Sequence, residues 1–130
     1  VLANITVVDA DLLKVRPDIK NFFLYEDQTA FDDEILEAKR QVFREIKDIE
    51  RAKYTDKDEQ ELGTLVETLT DLDDEPVKDR IVLTTIYLIF SSNNLLDLAN
   101  AYYQRALNVT LAYNLDSEVQ REMKPIFLGR

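Results

Sequence analysis

Residues 79 to 93 read DRIVLTTIYLIFSSN, and from Ile81 to Phe90 only two threonines interrupt the apolar character. The run admits three readings: a membrane span, a buried strand, or a helix that other elements surround. A span needs roughly 20 apolar residues, whereas this run is ten long and follows directly on Lys78, Asp79 and Arg80. Its β-branched residues favour a strand. Length and flanks favour a helix, because the 17 residues from Pro76 to Ser92 contain no internal breaker. That length would be unusual for a strand but gives an ordinary helix of about 25 Å. Asp74 is a candidate N-cap, and Pro76 falls near the first helical position, where its missing N–H does no harm. A helix so apolar all round must be covered on nearly every side.

The covering elements are sought on either side of it. Upstream, Ile35, Ala38, Val42, Ile46 and Ile49 recur at three- and four-residue steps through FDDEILEAKRQVFREIKDIERAKY. The spacing predicts a long amphipathic helix over residues 30 to 54, with Asp32, Asp33 and Glu34 in its first turn and Arg51 and Lys53 in its last. Before it, Asp9 reads as the N-cap of a short helix, ADLLKV, stopped by Pro17. Residues 18 to 28 hold Ile19, Phe22, Phe23, Leu24 and Tyr25, too many apolar side chains to face water, so this loop is expected to lie across the core. Between the two long elements, Thr55 and Asp58 suggest the start of a helix carrying Leu62, Leu65, Val66 and Leu69, weakened by Gly63. Downstream, SSNN marks a helix end, and Asn93 or Asn94 is a candidate cap for LLDLANAYYQRALNVTLAYN. There Leu95, Ala99, Tyr102, Ala106, Val109 and Tyr113 share a stripe. The sum is an all-α chain: an antiparallel helical bundle of three long helices plus shorter ones over residues 1 to 124, with an extended C-terminal arm over 125 to 130.

Composition narrows the function classes. The chain of 130 residues has the size of one domain. It contains no Cys and no His, which excludes disulfides and thiolate metal sites and removes the commonest general base. The opening VLANITVVDADLL lacks the basic and continuous apolar regions of a signal peptide, which predicts a chain kept in the cytoplasm. Net charge is -10, unevenly spread: residues 55 to 80 carry three basic and ten acidic groups, while residues 81 to 130 carry four of each. Such a surface repels phosphate backbones and anionic lipid, so neither tight nucleic-acid binding nor membrane association is expected.

Four groups of residues are candidates for function. The acidic run Asp71-Leu72-Asp73-Asp74-Glu75 invites a calcium reading, but an EF-hand loop begun at Asp71 requires Gly at 76 and Glu at 82, where Pro76 and Val82 stand. A solvated corner between helices is the simpler reading. The carboxylates Asp32, Asp33, Glu34 and Glu37 are interleaved with Lys39, Arg40 and Arg44, the ordinary outer surface of a helix. Tyr87, Tyr102, Tyr103 and Tyr113 fit the edge of a core better than a ligand pocket. No Ser or Thr has a His to activate it and no Gly-rich loop cradles phosphate, so no catalytic role is expected and no cofactor is implied. The terminal Ile126-Phe127-Leu128, beyond Pro125, has no helical face to join. It either folds back onto the bundle or adds to a partner, as a strand on a sheet edge for example.

The order of these parts resembles the head-tail connector proteins of long-tailed bacteriophages, also called adaptor or head-completion proteins. The resemblance runs from DADLLKVRPDI through FDDEILEAKRQVFREIKDIERAKY and PVKDRIVLTTIYLIFSSN to LANAYYQRALNVTLAYNLD and a short tail. It implies a structural virion protein of the neck, made in the host cytoplasm and without enzymatic activity. Such proteins form a ring of about twelve copies beneath the portal protein and present a surface to a tail-side stopper or terminator protein. DNA passes through the ring without sequence-specific binding. By matching position, MKPIFLGR would be the portal-docking arm, with Ile126, Phe127 and Leu128 as anchors. On this reading Asp71, Asp73, Asp74 and Glu75 would line or rim a channel from which phosphate is repelled. Lys39, Arg40, Arg44, Lys47 and Arg51 would pair with acidic groups of a neighbouring subunit. The alternative is a small helical adaptor or regulator that binds one cytosolic protein through an exposed helix face.

Overall fold

The computed structural model describes residues 1–111. Among them the chain is all-helical and contains no strand. Five α-helices follow in order: α1 (Asp9–Val15), α2 (Asp32–Lys53), α3 (Glu59–Thr68), α4 (Asp74–Ser92) and α5 (Leu96–Leu107). Short 3-10 turns occupy Leu2–Asn4 and Ile19–Phe22. No helix among the described residues is long and apolar enough to cross a membrane. Tyr113 and the expected arm residues Ile126, Phe127 and Leu128 lie outside the described residues.

The run from Ile81 to Phe90 is helical and lies in the helix on which α1, α2 and α5 meet, while α3 packs on α2 and the turn Leu2–Asn4. α4 packs against α1, α2, α5 and the turn Ile19–Phe22. Its buried residues, Val77, Ile81 to Ile86, Ile89 and Phe90, point to several sides of the helix. The hydroxyl of Thr85 is wholly buried and donates to the Ile81 carbonyl at 2.7 Å, so a polar atom inside the core keeps a partner.

Two clusters divide the core. One joins Phe31 and Ile35 at the start of α2 to Val82, Leu83, Ile86, Ile89 and Phe90 of α4 and to Ala99, Tyr102 and Ala106 of α5. The other joins Ala38, Val42 and Ile46, further along α2, to Val77 and Ile81 at the start of α4, with Val66, Leu69 and Leu72. The start of α2 thus meets the end of α4, and the two helices run in opposite directions.

Several local expectations are corrected. Val8, not Asp9, occupies the N-cap position of α1. The Val8 N–H donates to Asp11 at 2.9 Å, while Asp9 accepts from the backbone N–H of Phe31 at 3.2 Å and ties α1 to the entry of α2. α3 starts at Glu59 rather than near Thr55, because Asp58 and Glu61 cap each other: Glu61 N–H to Asp58 at 2.8 Å and Asp58 N–H to Glu61 at 3.4 Å. Asp73 rather than Asp74 precedes α4, and Pro76 is its third residue, still within the turn whose N–H groups lack helical partners. Ile49 is 40% exposed and Glu50 only 2% exposed, since a further step of four along 38, 42, 46 reaches 50 rather than 49. The Lys53 ammonium lies 3.3 Å from the Glu50 carboxylate.

The exit from α4 also differs from the expectation. Neither Asn93 nor Asn94 caps α5, whose N-cap position is held by Leu95 without a side-chain bond. Asn93 instead donates to the carbonyls of Ile89 at 2.8 Å and Phe22 at 2.9 Å, pinning the turn Ile19–Phe22 to the end of α4. Asn94 takes the left-handed conformation at φ 58°, which suits Asn at a helix end. α5 has 12 residues and stops at Leu107, well short of the expected end near 114. Asn108, Val109 and Thr110 follow, three residues of modest helix propensity.

The packing sets a stability test. Ile86 is fully buried at the centre of the first cluster, so Ile86→Ala should destabilise the fold by about 2–5 kcal/mol. Leu96→Ala, at a side chain 66% exposed, should change it by no more than about 0.5 kcal/mol. Urea midpoints at unchanged slope would check both.

Candidate functional site

Four of the five basic residues singled out in the sequence come together in one place. Lys39, Arg40, Arg44 and Lys47 line a groove of about 440 Å³ between α2 and α3, whose apolar surfaces come from Leu36, Phe43 and Val66. Gly63 of α3 adds no side chain there, and a Cβ at that position would meet nothing within 4 Å. Glu67 is the one acidic residue of the lining. The arrangement follows from the helical period. Ile35, Ala38, Val42 and Ile46 face the core, so the flank carrying Leu36, Arg40, Phe43 and Lys47 is left beside it.

The cations of this flank are held differently. Lys39 donates to the Ile5 carbonyl at 3.0 Å, with its ammonium 5.5 Å from the centre of the Phe43 ring. Arg40 has one distant ion pair, 3.9 Å to Glu37, between exposed groups and therefore weak. Arg44 makes no ion pair or hydrogen bond to a described residue. Lys47 lies 2.8 Å from Glu59 of α3, and Arg51 donates to the same carboxylate at 3.1 Å through Nε and also pairs with Asp48. The hydrogen bonds from Lys47 and then Arg51 hold the Glu59 carboxyl below its ordinary range. Lys47 and Arg51 are thereby engaged within the chain, clasping α2 to α3. Arg40 and Arg44 are the cations most available to another molecule.

The acidic corner is open. Asp73 precedes α4, Asp74 and Glu75 are exposed in its first turn, where the helix dipole favours negative charge, and Asp71 is half-buried. Asp74 lies 3.6 Å from the amino group of Val1. One Asp71 oxygen, Oδ1, is buried without a hydrogen-bond partner. Among the described residues no group of acidic side chains is placed to hold a metal ion.

The loop before α2 holds a feature that the sequence reading assigned to the core. Ile19 is buried, and Phe22 and Phe23 pack edge-on to Phe90 at 4.9 Å and face-to-face with Phe31 at 4.7 Å. Leu24 and Tyr25 instead turn outward, 51% and 62% exposed, followed by the exposed Glu26 and Asp27. Gln28 sets this tip. Its side-chain oxygen accepts from the Leu24 N–H at 2.7 Å, its N–H donates to the Tyr25 carbonyl at 3.2 Å, and its amide donates to Ala30 at 3.0 Å and Glu34 at 3.2 Å. Burial pushes the Glu34 carboxyl above its ordinary range. The two phenylalanines consume the space under the loop, and the next two apolar residues are left outside. Gln28 holds the backbone of Leu24 and Tyr25 in this outward turn, a contact that spacing does not encode.

Of the tyrosines expected at the core edge, Tyr102 is buried against Phe90, their ring centres 5.5 Å apart. Tyr103 is 42% exposed and leans on Tyr87. With Leu96 and Leu107 it forms an apolar stripe on the outside of α5.

Compared with known proteins, the chain matches no family model, and no curated protein or solved structure is similar to it at a significant level.

Two outcomes follow for the groove. Gly63 sits inside α3 with free space around it, so Gly63→Ala should stabilise the fold by about 0.5–1 kcal/mol in thermal or urea melts. The depressed Glu59 carboxyl contributes stability above the pKa of an unfolded glutamate, about 4.3, and that contribution is lost as pH falls through the lower folded value. Urea midpoints of the wild type should therefore fall more steeply on the acid limb than those of Glu59→Gln, and the two curves should be parallel at neutral pH.

Proposed function

We propose that the chain is a non-catalytic structural subunit of the head-tail connector kind, its helices gathered as an antiparallel bundle of three long members with a C-terminal arm. Its copies would assemble as a ring of about twelve between the portal protein and a tail-side stopper or terminator protein in the virion neck. The observation that carries this reading is the separation of unlike surfaces on one subunit. A basic, apolar-floored groove lies between α2 and α3, and acidic surfaces lie elsewhere. Unlike patches on one chain favour head-to-tail association, which closes into rings when the rotation permits. The order of parts along the sequence supports the same reading. Asp71, Asp73, Asp74 and Glu75 would line or rim the DNA channel, where fixed negative charge keeps the phosphate backbone from sticking. Ile126, Phe127 and Leu128 would anchor the arm on the portal.

The exposed stripe Leu96, Tyr103 and Leu107 favours a second reading, a small helical adaptor that offers α5 to one cytosolic partner. Electron microscopy of the protein mixed with a portal separates the two. The connector reading predicts rings seated on the portal with the acidic corner toward the channel. Absence of rings, or a corner on the outer wall, would overturn the respective claim. Truncation after Lys124 should leave the denaturation midpoint unchanged and reduce portal binding at least tenfold; undiminished binding would remove the arm from the account.

A further inference from the structure

The groove and the loop tip match each other in chemistry and cannot meet within one copy. The groove offers apolar surface from Leu36 and Phe43 with Arg40 and Arg44 at its rim. The tip, Leu24-Tyr25-Glu26-Asp27, offers two large apolar side chains followed at once by two carboxylates, all exposed. Exposed apolar groups of this size, rimmed by charge and held in place, mark contact surfaces more often than bare solvent-facing loops. The tip is fixed by Gln28, so it would lose little conformational freedom on docking.

Position on α2 decides which copy is involved. Gln28 joins the tip to Glu34, while the groove begins at Leu36. Two residues along a helix turn the direction by about 200°, so these side chains leave α2 on opposite flanks with the core-facing stripe between them. The tip therefore faces away from the groove of its own chain.

We propose that the tip of one copy seats in the α2–α3 groove of the next. Leu24 and Tyr25 lie on the apolar floor, and Glu26 and Asp27 meet Arg40 and Arg44. This rests on the head-to-tail reading above and names its joint. The contact places neighbours on the two flanks of α2 and does not involve the corner Asp71 to Glu75.

Sedimentation of the full chain over a wide concentration range tests it, with Arg40→Glu/Arg44→Glu as the groove variant and Leu24→Ser/Tyr25→Ser as the tip variant. All four positions are surface-accessible, and unchanged circular dichroism and urea midpoints would verify folding. The wild type should grow beyond a dimer with concentration. Each variant alone should associate at least tenfold more weakly. An equal mixture of the two should form a 1:1 dimer and nothing larger, because only one intact joint remains. Raising salt from 0.05 to about 0.5 M should weaken the wild-type contact through screening of the charge pairs.

A wild type that stays monomeric throughout, or variants that assemble like it, would overturn the proposal. Loss in the groove variant alone would also overturn it, since the occupant would then be something other than the tip. The broader reading fails separately. Rings on a portal that both variants still build would sink the joint and leave the connector standing, whereas self-association without portal rings would do the reverse.

Discussion

Burial of α4 is the constraint on which the rest of the fold depends. A helix apolar on most of its circumference cannot be covered by a single neighbour, because one helix offers one stripe. The chain supplies several. α2 covers it with Ile35, Ala38, Val42 and Ile46, α5 with Ala99, Tyr102 and Ala106, and α1 with Leu12, while Phe22 closes the far end against Phe90. The polar links are few and placed where backbone must be held: Asp9 at the entry of α2, and Asn93 between the end of α4 and the turn beneath it. α1, α2 and α5 each turn one stripe to α4 and leave the remainder of their surface to other contacts or to solvent, while α3 packs on α2.

That division explains why charge and exposed apolar side chains collect on the flanks of α2. Its core stripe is fixed by α4, so its two sides become distinct surfaces. One is closed over by α3 through Lys47, Arg51 and Glu59, which leaves an apolar trough with Arg40 and Arg44 beside it. The other receives Gln28 and, through it, the tip with Leu24 and Tyr25. Residues 55 to 80, which hold α3 and the first turn of α4, carry ten acidic and three basic groups, and of these acids Glu67 lines the trough and Glu59 holds its clasp. The chain thus presents unlike faces, the property that the proposed head-to-tail assembly would use.

The sequence revealed the strongest periodicities and lost the details that tertiary contacts decide. The helical state of DRIVLTTIYLIF was readable from its unbroken length and polar exits, and the stripe of α2 from its spacing. The phase of that stripe slipped at its end, where Glu50 is buried and Ile49 is not, because hydropathy argued against a carboxylate and geometry outweighed it. The N-cap position moved by one residue at α4, from Asp74 to Asp73, and at α1, from Asp9 to Val8, where Asp9 is drawn instead to the backbone of Phe31. The basic residues were recognisable as a set, yet their division into Lys47 and Arg51, which clasp α3, and Arg40 and Arg44, which do not, depends on where α3 lands. Leu24 and Tyr25 were hidden for a related reason: four apolar residues in a row look alike until Phe22 and Phe23 have taken the available space.

Native-state hydrogen exchange along α4 tests the central role of that helix most directly. If α1, α2 and α5 depend on it for burial, amides from Ile81 to Phe90 should exchange only through global unfolding, at the free energy measured by denaturant. Exchange of those amides at a clearly lower free energy than in α2 or α5 would contradict the account.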